Sequence, residues 1–140
     1  MALKKIKPKP RKKEFSVEEL DRRFMENLES LKGIHKLANE KKTPLFVLFT
    51  PSRKDLIPDL KEPEYKADFL REMQALQIPV IDTHEEWGEL PLEEVDIYFR
   101  DKVHLSPEGN EAVADLVFQK LCETDLVETC DILVETVRDF

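Results

Sequence analysis

The residues of this sequence best suited to acid–base chemistry stand in Ile97-Tyr98-Phe99-Arg100-Asp101-Lys102-Val103-His104-Leu105-Ser106-Pro107-Glu108-Gly109-Asn110-Glu111, with Asp101 three residues ahead of His104. A carboxylate that close to an imidazole accepts the proton of one ring nitrogen and fixes the ring's tautomer and orientation. The other nitrogen is then free to take a proton from a nucleophile or a water. That is the acid–base half of a hydrolytic triad. Ser106-Pro107-Glu108 reads as a helix start, with Ser106 as N-cap and Pro107 in the first helical position, so Asp101 and His104 lie on the loop that enters that helix. A surface ion pair is the competing reading, since one Asp-x-x-His arises readily in an acid-rich chain.

A second carboxylate–imidazole pair, Asp82 and His84, leaves an apolar stretch further upstream. Asp82, His84, Asp101 and His104 could converge as ligands of a divalent metal, but each spacing is a weak signal. The expectation is no metal and no cofactor, with Asp82 and His84 in an acidic loop that continues through Glu85, Glu86 and Trp87. Ser52 is the one serine placed where a nucleophile could stand, yet it lacks the small-residue elbow that exposes such a hydroxyl.

The elements that must position these residues are read from periodicity. Ser16-Val17-Glu18-Glu19 is a capping box, with Phe15 and Leu20 as its hydrophobic staple. Val17, Leu20, Phe24, Leu28, Leu31, Ile34 and Ala38 then step by three and four, predicting an amphipathic helix to about Lys41. Thr43-Pro44 ends it. Leu45 to Phe49 is unbroken apolar, which predicts a strand buried on both faces of a parallel sheet, and Thr50, Ser52 and Arg53 follow at its carboxyl end, where open α/β sheets bind ligands. Tyr65, Phe69, Met73 and Leu76 mark a second helix and Ile78 to Asp82 a second strand, expected to lie parallel and adjacent to the first. Ala112, Val113, Leu116, Val117 and Leu121 mark a third helix on the sheet. Residues 124–140 repeat the helical pattern through Leu126, Val127, Cys130, Leu133, Val134 and Val137, a fourth helix that would pack on the domain or on a partner.

At 140 residues the chain bounds one domain, and 37% charged residues with three glycines indicate helix-rich structure. Residues 1–13 hold seven bases and no acid, leaving 15 bases against 30 acids in the rest, a net of −15. An acidic body of that size disfavours contact with nucleic acid or anionic lipid. Only the basic arm, residues 1–14, is suited to polyanions, as a nuclear address or binding tail, and a solvated, flexible leader is the simpler reading. Cys122 and Cys130 belong to no metal or redox motif and read as free structural thiols of a reducing compartment. No apolar run approaches the ~20 residues of a membrane span, and no hydrophobic segment follows the basic N-terminus, so the expected location is the cytoplasm.

From about Leu45 to Leu121 the chain resembles the C-terminal half of an SGNH/GDSL-type hydrolase domain: an apolar strand ending in Thr50-Pro51-Ser52, a helix, the strand Ile78 to Asp82, then Asp101-Lys102-Val103-His104-Leu105-Ser106-Pro107-Glu108-Gly109-Asn110 opening the last helix. The resemblance implies that Asp101 and His104 are the catalytic acid and base of a serine-type esterase acting on a small-molecule ester. The family's Gly-Asp-Ser nucleophile turn and its oxyanion Gly and Gly-x-Asn-Asp blocks have no counterpart here. The expectation is therefore a three-layer α/β unit with a partial flavodoxin-like parallel sheet: residues 1–14 the arm, 15–123 the partial hydrolase domain, 124–140 the additional helix. Such a half would be inactive alone. A protein partner or self-association would supply missing strands, because two strands make a poor sheet. The alternatives are a non-catalytic interaction module derived from a hydrolase half and, third, a metal-dependent hydrolase.

Overall fold

The computed structural model describes residues 15–124. Helix α1 spans Val17–Glu40, and its Ser16 N-cap hydroxyl accepts from the Glu19 N–H at 3.2 Å, as the capping box requires. Strand β1 is Val47–Phe49, followed by a 3-10 turn at Arg53–Asp55, helix α2 at Lys66–Ala75 and strand β2 at Val80–Asp82. Helices α3, Thr83–Gly88, α4, Leu92–Ile97, and α5, Pro107–Cys122, complete the described chain. β1 and β2 pair in parallel with Val47 opposite Val80 and Phe49 opposite Asp82, and α2 makes the crossover between them.

Two apolar clusters hold the elements together. Leu28 of α1, Met73 of α2 and Ile78 are buried against each other, with Phe24, Leu31, Val47, Phe69 and Val80 half-buried around them. Leu56, Trp87, Val95 and Phe99 form the second, which fixes α3 and α4 against the start of α5 through Ala112 and Val113. Trp87 is therefore core.

Several sequence expectations need correction. The acidic loop expected after Asp82 is helix α3, because the Asp82 carboxylate caps it by accepting from the N–H groups of His84 at 3.1 Å and Glu85 at 3.2 Å. With α4 unforeseen as well, the described residues hold five helices, and the one expected over 124–140 lies outside them from residue 125 on, as does the arm. The strands are shorter than read. β1, expected buried on both faces, pairs only with β2 among the described residues, and Leu48 is 39% exposed. Cys122 is disulfide-bonded, correcting the free-thiol expectation there; Cys130 lies outside the described residues. No helix among the described residues is long and apolar enough to cross a membrane.

Candidate active site

The loop carrying Asp101 and His104 is closed at its base by an antiparallel bridge between Phe99 and Leu105. Inside it, Arg100 N–H donates to the His104 carbonyl at 2.9 Å. Ser106 anchors the exit: its N–H donates to Tyr98 O at 2.9 Å, its hydroxyl to Ile97 O at 2.5 Å, and that hydroxyl oxygen accepts from Gly109 N–H at 3.0 Å. Gly109 is required by contact, since a Cβ there would lie 2.1 Å from the Tyr98 carbonyl oxygen. The first turn of α5 thus sits directly on the backbone that enters the loop. Arg53 N–H, just past the carboxyl end of β1, donates to Lys102 O at 3.0 Å, which ties the loop to the strand end.

Within this frame Asp101 organises the turn. One carboxylate oxygen accepts from the N–H groups of Val103 and His104, each at 2.9 Å, and the other faces His104 Nδ1 at 2.7 Å. The backbone N–H of Val103, then that of His104, then the imidazole hold the Asp101 carboxyl well below the usual carboxylate range. Because the ionised carboxylate only accepts, Nδ1 carries the proton it receives, and in the neutral ring Nε2 holds the lone pair. No described residue bonds to Nε2, and the His104 side chain is 67% exposed. A cleft of about 370 Å³ lined by Ser52, Arg53, Lys54, Ile57, Lys102 and Val103 adjoins the loop. Arg53 is committed to Asp96 through its Nε at 2.9 Å.

Asp82 and His84 do the opposite. His84 is 4% exposed, and its Nε2 lies 2.9 Å from the Lys61 carbonyl, which can only accept, so that nitrogen carries the proton. Its Nδ1 then accepts from Lys66 Nζ at 2.9 Å. Lys66, itself 5% exposed, also lies 2.7 Å from Asp82 Oδ2, an oxygen with no aligned hydrogen-bond donor that is satisfied by the ammonium charge. Every polar group of this trio is spoken for. The four-residue metal set is not assembled: among the described residues no group of three or more His, Cys, Asp or Glu is arranged to hold a metal ion.

The structure thus brings Asp101 and His104 together, keeps them apart from Asp82 and His84 in role, and places Ser52 on the adjoining cleft with its N–H donating to Asp55 at 2.9 Å. Lys66 escaped the sequence reading although a signal was present, for it stands at i, i+3 and i+7 with Phe69 and Met73, on the buried stripe of α2. No protein-family model, curated protein or solved structure matches the chain.

Proposed function

We propose that this chain supplies the general-base pair of a serine-type ester hydrolase of the SGNH/GDSL kind, within a three-layer, flavodoxin-like sheet completed by strands not among the described residues. One observation carries the proposal: the 2.7 Å Asp101–His104 contact on a loop tied to the carboxyl end of β1, with Nε2 of His104 open. In this mechanism Nε2 takes the proton of a serine hydroxyl as it attacks the ester carbonyl, and Asp101 stabilises the imidazolium that forms. The same proton then passes to the departing alkoxide, and the pair activates water in the second half of the reaction. The serine and the oxyanion donors come from another segment, the substrate is a small-molecule ester, and the site of action is the cytoplasm.

Hydrolysis of p-nitrophenyl acetate tests this. The 140-residue chain alone should remain near the buffer blank, because one oxyanion donor is worth about 10²–10³ in rate and a base with no serine hydroxyl at its Nε2 has nothing to activate. In the serine-bearing assembly isolated from source cells, His104→Ala should abolish turnover. Asp101→Asn should lower it by up to about 10⁴, the loss that follows when the carboxylate orienting a serine protease's histidine becomes an amide. Hydrolysis well above blank by the chain alone, unchanged in His104→Ala, would overturn the assignment. A non-catalytic interaction module is the second reading, favoured by the open position of the pair and the absence of any hydroxyl bonded to His104 among the described residues.

A further inference from the structure

We propose that the free edge of β1 is a docking site for an extended, apolar peptide strand with basic flanks. The inference stands on the sheet alone and does not rest on the hydrolase assignment. Val47 N–H donates to Pro79 O at 3.0 Å, and Phe49 O accepts from the Thr83 hydroxyl at 2.8 Å, so these two residues turn their backbone groups toward β2. Backbone direction alternates along a strand, which leaves the N–H and C=O of Leu48 pointing the other way. Among the described residues no strand pairs there.

Natural sheets blunt such an edge with charge, proline or a bulge, and Leu45 to Phe49 contains none of these. The run has the composition of a strand covered on both sides, yet Leu48 is 39% exposed. Beside the edge lies a cleft of about 420 Å³ between α1 and α2, walled by half-buried Phe24, Leu31 and Phe69. A strand paired to Leu48 would place alternate side chains into that cleft, burying apolar surface while it satisfies the edge.

Charge selects among occupants. Glu64 lines the cleft, the hydroxyl of Tyr65, which also lines it, donates to Asp21, and the one cation lining it among the described residues, Lys66, is engaged by Asp82. A second copy of this chain would bring the same acids to the same rim. A peptide flanked by lysines complements it. A small molecule does not match the edge, whose paired donor and acceptor call for another backbone.

The probe is a fluorescein-labelled Lys-Lys-Val-Ile-Val-Leu-Val-Lys-Lys peptide, titrated with the full chain and read by fluorescence anisotropy. Saturable binding is expected, weakened about tenfold by N-methylation of alternate central amides, the loss expected for one hydrogen bond left unmade. Leu48→Pro removes the outward N–H while sparing the bonds to β2, and should weaken binding similarly; circular dichroism checks its fold. Leu31→Trp, which fills the cleft and leaves the strand untouched, should also lower affinity, as should glutamate in place of the flanking lysines. Absence of binding, or binding indifferent to both N-methylation and Leu31→Trp, would overturn the proposal. So would sedimentation showing that the chain pairs with its own copy through this edge, with the dimer lost in Leu48→Pro.

Discussion

Two carboxylate–imidazole pairs that look nearly alike in sequence, Asp82-x-His84 and Asp101-x-x-His104, have opposite surroundings. His84 is 4% exposed and both of its ring nitrogens are occupied, one by Lys66 and one by the Lys61 carbonyl. His104 is held by Asp101 on one side only, in a loop open to solvent. Burial with full partnering makes a structural clamp. Partial partnering at an accessible position leaves a proton acceptor, and that difference, more than the spacing of the residues, separates a group that holds the fold from one that can do chemistry.

The contrast breaks most visibly at Lys66. Lys66→Met leaves Asp82 buried without its counter-charge and His84 Nδ1 without a donor, so unfolding in urea should show a loss of about 3–5 kcal/mol, the range for removing one member of a buried ion pair. Gly109→Ala comes next. Its Cβ would collide with the Tyr98 carbonyl, and the overpacking should cost ~1–3 kcal/mol and displace the Asp101–His104 loop. By contrast, His104→Ala should leave the urea midpoint unchanged within error, because an exposed side chain on an already closed loop contributes little to folding. A loss in His104→Ala as large as that in Lys66→Met would erase the distinction between the two sites.

Much of this was legible in the residues, and the failures have physical causes. Ser16 and Ser106 announced their helices because a cap is a local bond between a hydroxyl and an N–H three residues on. The parallel pairing of β1 and β2 followed from two apolar runs separated by one amphipathic helix. Asp82 misled because the same carboxylate serves equally as an N-cap, a salt-bridge partner or a ligand, and only the Lys66 ammonium, brought in from α2, decides. β1 misled because an apolar run reports the cover a strand requires, and among the described residues that cover is missing on one side. Asp101 and His104 were visible at once, while the donors that tune Asp101 are the backbone N–H groups of Val103 and His104, which any sequence possesses.

Smaller effects sharpen the comparison. Long-range ¹H–¹⁵N NMR of the neutral rings should find opposite tautomers, protonated Nδ1 in His104 and protonated Nε2 in His84; the same tautomer in both would contradict the partner assignment. For Asp101 the folded carboxyl titrates below its unfolded value of about 3.9, so its contribution to stability is present above that value and is lost as pH falls through the lower folded one. Carboxylate ¹³C shifts followed from about pH 6 downward should therefore show Asp101 among the last side-chain carboxyls to protonate, and Val103→Pro, which removes its foremost donor, should move that titration upward. At alkaline pH, Tyr65, pushed up to about 12 by its bond to Asp21, should ionise above the ordinary phenol value, and absorbance at the phenolate band in Asp21→Asn should bring it back down.

The most direct test of His104 as a working base is serine labelling by a fluorophosphonate probe in the assembly isolated from source cells. A polypeptide or segment other than residues 15–124 should be labelled when His104 is intact, and His104→Ala should leave the assembly whole but unlabelled. Labelling of equal rate with and without the His104 imidazole would show that this pair activates no nucleophile.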